Sequence, residues 1–346
     1  MIKAKSQAVN RNHIAAAKGL AILAVILLHF LASLNRVYLR PDGAGFFVFI
    51  DQLARFCVPV FIAASAYGLT KKYLTTPFSW PSFIHRRLFK LLPLYLLWSA
   101  LLIWSLSLEP FWYPPAYLLP IWQRILMGGA DYQLYFVPLI LQLYVLFPFL
   151  LKTLKKCSHA TLFITGVIQI AFFGWYVYVR EAGLVTNFFA LDQGQYIFFG
   201  TWIFYFYLGM WLAYHDISKR LSVLIAVLLA CVVSLAALYQ VVMKDLSLGI
   251  DPIIALRFTK FSLIPYGTAA VLLLLGFPRW SNVLPAKIYQ ALATAGKYSY
   301  LLFLSHTIVL RILFSGYYGL VSIQSLLIAS LLTVVGVVLS LTLFKE

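Results

Sequence analysis

The sequence predicts an all-α polytopic membrane protein with about ten transmembrane helices and both termini in the cytoplasm. Three observations predict it. First, the 346 residues are 63% hydrophobic and only 11% charged, with a mean hydropathy of +0.90; a soluble domain of this length could not hide so much apolar surface. Second, apolar runs of about 18 residues or more recur along the chain, the length a helix needs to cross a bilayer core. Third, basic and acidic residues alternate between successive connecting loops.

The first span runs over 14–34, beginning Ile14-Ala-Ala-Ala-Lys18. Its length, its internal lysine and the absence of a clean small-x-small site argue against a cleavable signal. The second covers 46–70 and is followed by Lys71-Lys72. The third covers 88–108, just after His85-Arg86-Arg87. An external segment, 109–133, is rich in proline and aromatics (Pro110, Trp112, Pro114, Pro115, Pro120, Trp122) and is expected to lie along the membrane surface. Gly128-Gly129 permits a tight turn before the fourth span, 134–151. Lys152, Lys155 and Lys156 separate the fourth span from the fifth, 160–179. The sixth, 199–214, is short and aromatic, and Lys219-Arg220 precede the seventh, 221–243. Asp245 and Asp251 stand before the eighth, 258–277; Arg279, Lys287 and Lys297 stand before the ninth, 298–315; the tenth is 322–343. The whole reads as a single domain over 1–346.

The net charge of +17 first raises nucleic acid as a partner. Its distribution excludes that. Seventeen of the 27 basic residues fall in or beside every second loop and in the two tails, with only Asp216 and Glu346 of the ten acids, while Asp42, Glu109, Asp131, Glu181, Asp192, Asp245 and Asp251 fall in the others. Excess Lys and Arg mark the cytoplasmic side, where they also meet anionic lipid headgroups. No contiguous basic face for a duplex is visible. The three cysteines, Cys57, Cys157 and Cys231, show neither metal spacing nor a disulfide framework, and no metal is expected.

Ionisable residues inside spans are costly and so point to function. Lys18 and His29 are eleven residues apart; at 100° per residue they share one helix face, roughly 16 Å apart along the axis. Asp51 and Arg55 are spaced i, i+4 and can pair on one face. His306 lies in the ninth span, with Arg311 beyond it. By depth, His29, Asp51, Arg55 and His306 are expected to converge in the outer half of the membrane. On the cytoplasmic side Arg86, Arg87 and Lys90 occupy the start of the third span, a cluster suited to phosphate. Each has a blander reading: an ion pair that permits burial, a satisfied interior histidine, a topology signal.

These residues sit in motifs. Lys18-x10-His29 resembles the Arg-x10-His of the acyltransferase 3 family of bacterial membrane acyltransferases. Arg55-Phe-Cys-Val-Pro-Val-Phe resembles its second-span block, and Arg87-Leu-Phe-Lys90 its Arg-x-x-Arg. Gly129-Ala-Asp-Tyr-Gln133-Leu-Tyr-Phe-Val-Pro138, with Gln142, Tyr144 and Pro148, resembles the fourth-span block, and Ser299-Tyr-Leu-Leu-Phe-Leu-Ser-His306 the ninth-span ending. Five such blocks in the family's order make the resemblance specific, although lysine replaces arginine at 18 and 90 and Gln133 stands where many relatives have histidine. The resemblance implies O-acylation of cell-surface glycans or lipids at the bacterial cytoplasmic membrane. Acyl-coenzyme A, acetyl-CoA first, is the co-substrate, held by Arg86, Arg87 and Lys90. The thioester passes Lys18 to His29 as general base, with Asp51, Arg55, Gln133 and His306 toward the acceptor, a surface polysaccharide or lipid-linked sugar. Two other readings compete. A polysaccharide exporter or proton-coupled carrier would also use membrane-embedded His, Asp and Arg but has no need of the Arg87-x-x-Lys90 cluster. A scaffold subunit of a glycan synthase would be indifferent to His29.

Overall fold

A computed structural model of the chain describes residues 2–38, 44–107, 120–181, 194–215, 217, 221–250 and 252–318. Among the described residues every regular element is helical. Among the described residues four helical stretches are long and apolar enough to cross a membrane: Asn12–Ala32, Gly45–Tyr73, Phe136–Tyr178 and Leu221–Ser247. They carry predicted spans one, two, four with five, and seven. Spans six, eight and nine correspond to the shorter apolar helices Ile203–Tyr214, Leu263–Gly276 and Ser299–Leu310. Span three lies in a helix over Trp80–Ser107. Span ten lies outside the described residues.

The chain forms two compact units. The first comprises Met1–Pro77, Phe147–Trp175 and Gly200–Ser299. Its backbone begins with α1 (Ile2–Tyr38), α2 (Ala44–Ala54) and α3 (Cys57–Tyr73). The second predicted span is therefore two helices. Pro59 accounts for the break: it cannot donate to the carbonyl four residues back and so is best accommodated in the first turn of a new helix, here α3. The residual turn is closed by the Arg55 amide donating to the Gln52 carbonyl at 3.2 Å.

The other unit holds α4 (Trp80–Ser107), α5 (Ile121–Leu126), the start of α6 (Phe136–Glu181) and α7 (Gly194–Ile197). The 46-residue α6 is interrupted at Cys157, whose φ of −149° and ψ of 55° are not helical. A straight helix of that length would extend about 69 Å, twice the hydrocarbon thickness. The interruption falls inside the predicted 152–159 connection, next to Lys155 and Lys156.

In the first unit α8 (Ile203–Tyr214), α9 (Leu221–Ser247), α10 (Pro252–Ala255), α11 (Leu263–Val271) and α12 (Ala286–Lys297) complete the packing. α1 packs on α12 and α3, and α3 on α8. Small residues make these crossings close. A Cβ on Gly19 would strike the Leu292 carbonyl, one on Gly296 the Ala15 carbonyl, and one on Gly209 the Ala63 carbonyl. Backbone-to-backbone approach of this kind is how helices associate in lipid, where apolar side chains gain nothing from leaving the solvent. Gly296→Leu is therefore expected to lower the thermal transition by the equivalent of at least about 1–3 kcal/mol, measured on detergent-purified protein. α9 presents the lipid-like surface: Leu229, Val232 and Val233 are all more than 60% exposed. Such a stripe belongs against hydrocarbon.

The helix α12 was not expected from the sequence, which places a basic loop there. It is amphipathic, its buried contacts being Leu292 and Gly296. The last described helix, α13 (Ser299–Tyr318), belongs mainly to the second unit.

Candidate active site

In the first unit, α1 is continuous across Lys18 and His29, so both stand on the stripe their spacing predicts. Both are half-buried. The pair Asp51–Arg55 forms as its spacing requires. Arg55 Nε donates to Asp51 Oδ2 at 2.8 Å and its terminal nitrogen to Oδ1 at 3.0 Å, a bidentate fork. Gln52 Nε2 donates to Asp51 Oδ2 at 2.6 Å. The guanidinium also lies over the Phe258 ring, 4.5 Å from its centroid. Both charged residues are more than nine-tenths buried. They sit where α2 ends, a site fixed by the Pro59 break and by Tyr266, whose hydroxyl donates to the Leu53 carbonyl at 2.6 Å.

In the second unit the basic cluster divides by burial. Arg86 and Lys90, four residues apart, share an exposed face of α4, and Arg87 is turned about 100° from Arg86 into the helix packing. Its guanidinium carbon lies 5.4 Å from the Phe83 ring centre and 5.6 Å from that of Tyr144. It lines a cavity of about 330 Å³ with Ile84, Leu88, Leu126, Leu141 and Gln142 among the walls. Gln142 is structural: its amide donates to the Ile197 carbonyl at 2.9 Å and its Oε1 accepts from the Phe199 amide at 3.3 Å, tying the segment after α7 to α6.

The same unit carries a buried polar group around Gln133 and His306. The loop entering α6 turns at Gly128, whose φ of +68° is a left-handed value that glycine adopts readily. This turn precedes the buried Asp131 and Gln133, and Asp131 Oδ1 accepts from the Tyr132 amide at 2.9 Å. Gln133 Nε2 donates to Thr307 Oγ1 at 2.8 Å, and Gln133 Oε1 is buried with no protein donor. The Nδ1 of His306 stands 3.0 and 2.9 Å from the carbonyls of Leu302 and Phe303. Carbonyls only accept, so Nδ1 carries the proton, and in the neutral ring Nε2 carries the lone pair.

The structure thus joins Asp51 to Arg55, and Gln133 to the residue after His306. It places Lys18, His29, Asp51 and Arg55 in one unit, and Arg86, Arg87, Lys90, Gln133 and His306 in the other. Sequence reasoning missed Thr307 and Phe83, and named Tyr144 only within the fourth-span block, with no role. Thr307 directly follows a candidate histidine, and Phe83 lies one helical turn before Arg87, the available signals for each.

Helical throughout its described residues, with helices suited to lipid and ionisable side chains buried among them, the chain has the character of a membrane protein. Its family comes from comparison: the model of an acyltransferase domain matches residues 12–345, essentially the whole chain, and the chain belongs to the acyltransferase 3 family. No curated protein and no solved structure matches it.

Proposed function

We propose that the chain moves an acyl group, acetyl first, from cytoplasmic acyl-CoA to a hydroxyl of an extracytoplasmic or lipid-linked glycan. It would do so as a ten-span protein of the bacterial cytoplasmic membrane with both termini inside. The observation that carries the reading is an acyltransferase domain over 12–345 whose first helix holds Lys18 and His29 on one uninterrupted stripe.

In this reading Arg86, Arg87 and Lys90 hold the donor's phosphates, and the thioester lies along α1 between Lys18 and His29. His29 takes the proton of the acceptor hydroxyl as its oxygen attacks the thioester carbonyl. The C–S bond then breaks, and the proton passes to the departing thiolate, leaving an ester and free coenzyme A. Histidine suits this because its pKa lies near working pH. Arg55, its fork anchored by Asp51, would steady charge on the carbonyl oxygen or hold the acceptor. Gln133 Oε1 is a hydrogen-bond acceptor suited to a sugar hydroxyl, and His306 stands beside its partner Thr307 on the acceptor side.

Purified protein in lipid nanodiscs tests the class. Stabilisation by acetyl-CoA, together with loss of one glycan ester in a deletion strain by mass spectrometry, is the expected result. Stabilisation by glycan alone, with no response to any acyl-CoA, would instead mean a carrier.

A further inference from the structure

Arg87 occupies an unusual position. Phe83 and Tyr144 meet edge to face with ring centres 6.4 Å apart. The guanidinium carbon is about equally far from both rings, so it backs into the corner they form rather than being sandwiched between them. Phe83 is fully buried and Tyr144 nearly so, which makes the corner rigid. The Nε atom of Arg87 is buried without a protein partner, and among the described residues no carboxylate pairs with the side chain. A guanidinium partly withdrawn from water without a counter-anion is unfavourable, and this one borders a cavity whose other walls are mostly aliphatic. The matching ligand is a phosphate joined to a slender chain: the phosphate on the fork, the chain along Ile84, Leu88, Leu126 and Leu141.

We propose that Phe83 and Tyr144 are positioning residues for donor binding, holding the planar face of Arg87 so that its fork takes a donor phosphate while the adjoining arm lies in the cavity. This rests on the acyl-CoA reading above and makes it specific: Arg87 is the inner phosphate ligand, and Arg86 and Lys90 meet the donor only from the exposed face of α4. The rings act through cation–π attraction and by restricting the arginine's rotamers.

The test is acetyl-CoA titration of the full chain in phosphatidylcholine nanodiscs, with and without phosphatidylglycerol, beside steady-state transfer. Tyr144→Leu and Phe83→Leu are expected to weaken acetyl-CoA binding about five- to tenfold and to raise its KM by the same factor with kcat held. Tyr144→Phe, which keeps the ring, should stay within about twofold. If a leucine variant loses its thermal transition, Arg87→Lys replaces it; it keeps the charge, gives up the stacking plane, and should show the same loss. Wild-type affinity in these variants overturns the proposal, as does a loss in Tyr144→Phe equal to that in Tyr144→Leu. So does a change confined to retention of phosphatidylglycerol, which would make the pocket's phosphate a lipid's. A wild-type protein that binds no acetyl-CoA in any disc overturns the acyl-CoA reading itself, and this proposal with it.

Discussion

His29→Ala is expected to reduce acyl transfer by about 10²–10⁴-fold while leaving the protein inserted and folded. The two halves of that expectation have separate grounds. The activity loss follows from removing the proposed general base of the attacking hydroxyl. The stability half follows from position: His29 is half-buried on α1, whereas the close crossings of this helix are made by Gly19 against Leu292 and Ala15 against Gly296. Truncating the imidazole leaves those backbone contacts intact. His29→Gln sharpens the point, since it retains hydrogen bonding but cannot take up a proton near neutral pH. The measurement is single-turnover transfer from acetyl-CoA by reconstituted protein, paired with its thermal transition. A wild-type rate in both variants, with unchanged transitions, removes His29 from the chemistry. His306, the buried histidine beside Thr307, would then be the residue to test next.

Much of this layout was legible because the relevant signals are local. The stripe of Lys18 and His29 needs only helical periodicity, and Asp51 with Arg55 needs only a separation of four. Both depend only on position along a single helical stretch, three turns apart for the first pair and about one for the second. The break between α2 and α3 was available in principle from Pro59, but the apolar run across 46–70 masks it, because hydropathy does not register a missing donor. The basic cluster shows the opposite error. In sequence Arg86, Arg87 and Lys90 form one patch, yet Arg87 is half-buried against an aromatic corner while Arg86 and Lys90 are exposed. That corner requires Tyr144, which comes from another helix. The Gln133–Thr307 bond joins residues 174 positions apart, and no periodicity carries such a pairing. The helix α12 was missed because hydropathy registers only spans: with Lys287, Gln290 and Lys297 in its twelve residues it is too polar to read as one, and it gains its place from close packing on α1. Most of the fold's local grammar is therefore readable, and the inter-helix polar contacts are what the tertiary structure adds.

The largest effect on stability is expected at the buried pair. Asp51→Ala should cost about 3–5 kcal/mol, because it leaves the Arg55 guanidinium buried without its carboxylate. The Phe258 ring beneath Arg55 recovers only a part, since such contacts contribute about 0.5–2 kcal/mol. Gln52 would also lose the acceptor for its amide. Removing both charges tells a different story. Asp51→Leu with Arg55→Met replaces the pair with apolar groups of similar bulk, and burial of such groups in place of an ion pair is often neutral. The double variant is thus expected to be more stable than either single one, with a coupling of several kcal/mol in the cycle. Stability and activity should then part company. If Arg55 steadies charge in the transfer step, the double variant folds well and transfers poorly. If the pair only permits its own burial, the double variant recovers both the thermal transition and the rate of acetyl transfer, and Arg55 has no part in the reaction.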